Sequence, residues 1–421
     1  MVYFEPSIQS NIMFGLFVIL FSLILGYKAK GNLFVFIIAF FIFYSNYSIF
    51  VGEYLVGGEL GIPLYQLKTE YHYGIAIRVL LLFVSMAALF LKPRVVEKMN
   101  FSLTPKDNIL IFYTLYLVLI LIWVFGIDKT ATLNTYSVSI TPIYEYATLI
   151  FLFAIYSSGF KRFRVGILIL MLVFFVLQDF YYGGRITSLQ LILLFLITVF
   201  LKKLSTTIII FGGIIGILIN SVIGVYRNKY SLDSIGVFEI IRGVFNNYFV
   251  FDTPVYAYYT TVAHLAATEF MDWSIRLKSF LAFFFAIFNG NNELGDVTRY
   301  VTDNHYFNYG GGLIPTHFYY WLGWLGVVFI ACILIIILNK IGTAKKDLWK
   351  LIAISIVMTV PRWYLYTPLS LFRQVFFVVI LYYAFILAHN SLIRIAGKRK
   401  TYEKQTLLEN ELINRQTKNS I

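Results

Sequence analysis

Residues 186–225 read ITSLQLILLFLITVFLKKLSTTIIIFGGIIGILINSVIGV, and this stretch decides the fold class. Two apolar runs, 186–201 and 206–225, are joined by a short connection carrying Lys202 and Lys203. A bilayer-spanning helix needs roughly 20 predominantly apolar residues, so the pattern is a membrane hairpin with its basic turn on one side. The same unit recurs outward in both directions, near 11–27, 31–51, 73–91, 108–126, 142–157, 164–182, 314–338, 349–361 and 370–389. The expectation is an all-α polytopic membrane protein with about eleven crossings.

Composition agrees. Of the 421 residues 59% are hydrophobic and 13% charged, where a soluble domain is about half apolar and a quarter charged. Cys332 is the single cysteine, so no disulfide framework and no cysteine-based metal site is available. The first ten residues hold no Lys or Arg, which reads as a retained first helix rather than a cleaved signal peptide.

Basic residues give the crossings a direction. With the N-terminus placed outside, the inside connections are 28–31, 92–107, 158–164, 202–205, 339–350 and the tail after 390, and each carries a cluster of Lys or Arg. This bias is the orientation signal of membrane proteins. It accounts for the net charge of +13 with no nucleic acid as partner. The expected topology is N-out, C-in.

The remaining basic residues are mostly Arg. Arg78 lies in GIAIRVLL, Arg185 in YYGGRIT, Arg227 in GVYRNKY, and Arg362 and Arg373 frame PRWYLYTPLSLFR, with Arg242 and Arg299 in the long outer segment. Lys is a hydrated point charge, whereas Arg presents a planar fork of donors matched to phosphate or carboxylate. Holding Arg near the bilayer centre costs about 2.5–3.5 kcal/mol on insertion scales. Repetition of that cost near one face points to an anion held there. The competing reading is that each Arg reaches the interface or pairs with an acid such as Glu145 or Asp179.

The organisation is therefore 1–225, eight helices; 226–313, a large outer segment; 314–390, three helices; and 391–421, a polar tail at the inner leaflet. Within the outer segment, 236–247 has helical periodicity and 279–288 is apolar over half a span, as in an interfacial or re-entrant helix. Between them YFVFDTPVYAYYTTVAH offers rings with hydroxyl tips, suited either to stacking on sugars or to an interfacial belt. The segment closes on Asp303, His305, Gly310–Gly312 and His317. A His beside a carboxylate has the make-up of a general base. No third ligand is spaced to make these a metal site.

Four stretches carry a resemblance: GGRITSLQLILLFLITVF (183–200), GVYRNKY (224–230), NHYFNYGGGLIPTHFYYWLGWLG (304–326) and PRWYLYTPLSLFRQVFFVV (361–379). In their order and placement the chain resembles the bacterial oligosaccharide repeat-unit polymerases, the O-antigen or capsule polymerases of the Wzy type. The resemblance covers the C-terminal half, with the topology covering the rest. It implies a C-type membrane glycosyltransferase fold in the inner membrane, with the N-terminus periplasmic and the C-terminus cytoplasmic. The implied substrates are undecaprenyl-diphosphate-linked oligosaccharides. The growing chain leaves its diphosphate for a hydroxyl of the incoming unit, with no metal or other cofactor. Arg78, Arg185, Arg227, Arg242, Arg299, Arg362 and Arg373 are then diphosphate-binding candidates. His305, oriented by Asp303, is the first candidate base, with Asp252 or Glu293 behind it. A chain-length regulator is a possible partner.

Three other classes share parts of the pattern. Ligases move finished glycan to a different acceptor such as the lipid A core, and have the same large outer loop and Arg. Metal-dependent C-type enzymes usually carry an acidic pair in the first outer loop, where this chain has the separated Glu53, Glu59 and Glu70. A flippase for the same lipids usually has paired halves with functional residues at mid-membrane. No internal repeat is visible here, and the polar residues gather at one face.

Overall fold

The structure is a computed structural model that describes residues 8–55, 69–92, 103–127, 141–182, 184–227, 237–246, 248–250, 252–289, 293–304, 310–341 and 344–419. Every regular element among the described residues is a helix. In chain order these are α1 (Ile8–Ala29), α2 (Leu33–Phe50, continued by a π-helical turn Val51–Leu55), α3 (Thr69–Phe90), α4 (Ile109–Phe125), α5 (Pro142–Glu145) and α6 (Ala147–Ser157). They continue with α7 (Arg162–Tyr181), α8 (Ile186–Thr198), α9 (Thr206–Arg227), α10 (Val237–Asn246), α11 (Asp252–Ala267) and α12 (Trp273–Asn289). The last six are α13 (Val297–Asn304), α14 (Ile314–Leu322), α15 (Trp324–Ile341), α16 (Asp347–Met358), α17 (Val360–Leu365) and α18 (Leu369–Asn419).

Seven helices among the described residues, within α1, α2, α3, α7, α9, α15 and α18, are long and apolar enough to cross a bilayer. The shorter apolar helices are α4, α6 and α8, and α16 is of similar length to α6 and α8. Each apolar run read from the sequence is thus helical, and the chain is a polytopic helical membrane protein. Local capping sets the starts. Asn32 accepts from the backbone N–H of Phe34 and Val35 at the head of α2, and Asn108 accepts from that of Ile111 at the head of α4.

Contacts sort the helix ends into two faces. Lys28 donates to the carbonyls of Ala88 and Leu89, the Lys92 amide donates to Asn339, and Asp107 pairs with Lys161 and Arg164. Tyr156 donates to Asp347, and Asn108 meets His389 at 3.1 Å. One face therefore gathers the Lys-bearing ends of α1, α3, α4, α6, α7, α15 and α16. Asp107 is held below the usual carboxylate range, by its bonds to Lys161 and then Arg164. At the other face Tyr44 and Tyr47 reach the 248–249 turn, Tyr54 meets Tyr258, and His72 meets Glu269 at 2.9 Å.

Two expectations change. The run 314–338 is interrupted at Gly323 (φ 63), where α14 stops and α15 begins. Arg276 stabilises this break. It is 7% exposed, lies 4.2 Å over the Trp273 ring, and donates to the carbonyls of Tyr319 and Tyr320 in the last turn of α14. A cation there satisfies carbonyls that a helix end leaves open. The second change concerns the Tyr-rich stretch. Tyr258 and Tyr259 present no ring to a sugar or an interface, because α11 packs against α2, α3 and α14 and buries them with Val255 and His264, while Tyr248 ahead of the helix stays exposed. The apolar 279–288 run lies within α12, which buries Ser279, Ala282, Phe283 and Ala286 and turns Leu277, Leu281, Phe285 and Phe288 outward. That division suits a helix at a lipid surface.

Candidate functional site

At the face away from the Lys clusters, several helices are broken. Pro142 opens α5, Pro361 opens α17, and Pro368 precedes α18. Proline is tolerated in a first helical turn, where its missing N–H would have no partner in any case. These breaks enclose a cavity of about 140 Å³, lined by Glu145, Thr148, Gln190, Thr359, Arg362, Thr367, Ser370, Arg373 and Gln374 among others. Two of the seven sequence-selected arginines thus share one polar cavity.

Its lining is rich in donors. Arg362 binds Glu145 at 2.5 Å, and Arg373 donates to the Ala286 carbonyl. A guanidinium carries five N–H groups, so neither contact exhausts it. The side-chain amide nitrogens of Gln190 and Gln374 are enclosed with no acceptor among the described residues, and Gln190 is 3% exposed. A buried donor left unpaired costs about 1–3 kcal/mol. Two such donors beside two guanidinium groups, balanced by one carboxylate, make a cavity suited to a ligand bearing acceptors and negative charge.

The other candidates are spread more widely. Arg185, just before α8, donates to the Asn220 carbonyl of α9 at 3.3 Å. Asp179, offered by the sequence as an Arg partner, instead accepts from the Ser188 amide and hydroxyl at the head of α8. That packing requires Gly184, because a Cβ there would sit 2.0 Å from the Asp179 carboxylate. The Arg78 guanidinium lies 5.0 Å over the Phe14 ring, within α3. Arg242 is exposed on α10, and Arg299 is exposed on α13 with its amide bonded to Asp296. His305 lies outside the described residues, as do the side chains of Asp303, Arg227, Asp252 and Glu293.

One feature was missed in the sequence. His264 of α11 and His317 of α14 pack with ring centroids 4.9 Å apart, both buried. Among the described residues neither His264 ring nitrogen has a hydrogen-bond partner, and His317 has only the backbone of Gly312 and Tyr366 to bond to. Gly312 lies against both, and a Cβ on it would come within 2.8 Å of each ring. Its amide donates to the Leu365 carbonyl, which ties the pair to the turn carrying Arg362. Burial keeps both rings neutral. It pushes His317 down to about 4 and His264 well below its ordinary value, and His317 adds to the effect on His264. The available signal was a lone histidine inside an otherwise apolar, aromatic helix. No protein family, curated protein or solved structure matches this chain.

Proposed function

We propose that the chain is a membrane glycosyltransferase that polymerises polyprenyl-diphosphate-linked oligosaccharide repeat units. On this reading it crosses the inner membrane about eleven times, with the Lys-rich face cytoplasmic and the Arg cavity periplasmic. The observation that carries it is the meeting of Arg362 and Arg373 in one donor-lined cavity, at the end of the bundle away from the Lys clusters. Transfer of a glycan from a diphosphate builds negative charge on the leaving oxygen. Preorganised donors around that oxygen lower the barrier because they need no reorganisation during the reaction. Fixed guanidinium and amide groups supply such donors from the protein itself. The broken helices α5 and α17 line the cavity, and α12, whose Ala286 carbonyl holds Arg373, turns its other, apolar face outward, which suits entry of a polyprenyl chain from lipid.

The test is the fate of the lipid-linked precursor in cells lacking the chain. Accumulation of single repeat units on the periplasmic side, with no polymer, supports the reading. Units trapped on the cytoplasmic side make the protein a flippase. Intact polymer that fails to reach its final acceptor makes it a ligase.

A further inference from the structure

We infer that Glu145 is the proton acceptor for the attacking sugar hydroxyl, held by Arg362 until a diphosphate takes its place. This rests on the glycosyl-transfer reading and adds a catalytic residue to it.

Glu145 is the only carboxylate among the described residues that line the cavity. The other polar groups there are guanidinium, amide and hydroxyl, none of which accepts a proton readily near neutral pH. Glu145 ends the one-turn helix α5, immediately before the break at Tyr146 that starts α6. The joint aims its carboxylate across the cavity at Arg362 of α17, 2.5 Å away. The two side chains are 39% and 29% exposed, so a ligand entering the cavity can compete for either.

A diphosphate carries more charge than a carboxylate and takes a guanidinium in a two-pronged contact. Its arrival on Arg362 and Arg373 releases Glu145 beside the bond to be broken. The acceptor hydroxyl then loses its proton to the Glu145 carboxylate as its oxygen bonds to the anomeric carbon. The anomeric carbon–oxygen bond to the diphosphate breaks, and its electron pair leaves with the diphosphate onto the Arg donors. Glu145, now protonated, returns its proton to solvent from its exposed side and binds Arg362 again once the diphosphate departs. In the resting state the pair keeps a base from standing free beside water, and productive binding frees it.

The test uses the purified full chain with two readouts, transfer from a synthetic polyprenyl-diphosphate repeat unit and binding of undecaprenyl diphosphate without sugar. Glu145→Gln should slow transfer by about 10²–10⁴-fold, the usual share of a positioned base, while binding stays equal or tightens because Arg362 is released. Arg373→Ala is run in parallel. If Glu145→Gln turns over like wild type while Arg373→Ala is impaired, this inference fails and the site reading stands. If neither variant is impaired, the site reading itself fails. A purely structural ion pair would show as Glu145→Gln losing binding and thermal stability together with activity, and as recovery of all three in Glu145→Gln/Arg362→Gln; that result overturns the inference.

Discussion

Acid should destabilise this protein through the buried histidine pair, and the size of the effect follows from its burial. An unfolded histidine titrates near 6.5, whereas burial holds His317 at about 4 in the folded chain. The folded state therefore binds fewer protons than the unfolded state between those values. The stabilisation is complete above about pH 6.5 and is lost as pH falls toward 4. At 1.36 kcal/mol per unit, the full loss from this one ring is about 3 kcal/mol, most of it gone by pH 4.5. His264 is lowered for the same main reason, its own burial, so it adds in the same direction. The assay is thermal unfolding of the detergent-purified chain at steps from pH 7.5 to 4.5, for wild type and His317→Asn. Carboxylates titrate in the same range, so the readout is the difference in slope between the two proteins. The variant should start less stable at pH 7.5 and lose less on acidification, so that the gap narrows by about 3 kcal/mol. Parallel curves would refute the claim that His317 is held neutral by its surroundings.

Other outcomes follow from particular contacts. Arg373→Ala should leave protein levels unchanged and reduce polymer formation by about 10²–10³-fold, the size found on removing one preorganised donor, read as polymer length on a gel. Arg242→Ala should have little effect on the same gel, because Arg242 is exposed on α10 and away from the cavity lining. Gly312→Ala places a methyl within 2.8 Å of both histidine rings at a backbone φ of +143. The expected cost is about 1–3 kcal/mol, measured as a lower Tm, and a Tm at or above wild type would contradict the described packing.

The long elements were legible because length and hydropathy alone specify them. The stretch 186–225, read as two membrane helices with a basic turn, is α8 and α9. The breaks were less legible. Gly323 ends α14 with the help of Arg276 from a different helix, and no local pattern announces such a partner. The Tyr-rich stretch misled for a related reason. Tyr suits a sugar surface and a core equally well, and only the packing of α11 against α2 and α3 decides between them.

In the candidate site, residue type could be read but grouping could not. Seven arginines fitted an anion site by chemistry, and the chain path brings Arg362 and Arg373 into one cavity while leaving Arg78 and Arg242 elsewhere. Gln190 and Gln374 passed unnoticed because each is a single amide in an apolar run. Polar groups within membrane helices are costly and tend to be functional, so ITSLQLILL and LFRQVFF held the missed signal.

The proposed function requires the cavity built on Arg362 and Arg373 to transfer glycan between diphosphate carriers. Its most direct test supplies the purified chain with a synthetic undecaprenyl-diphosphate repeat unit and resolves the products by size, with no metal added. A ladder spaced by one repeat unit is expected, lost when both arginines are changed to Ala. Intact substrate after incubation with the wild-type chain, or an undiminished ladder from the double variant, would contradict it.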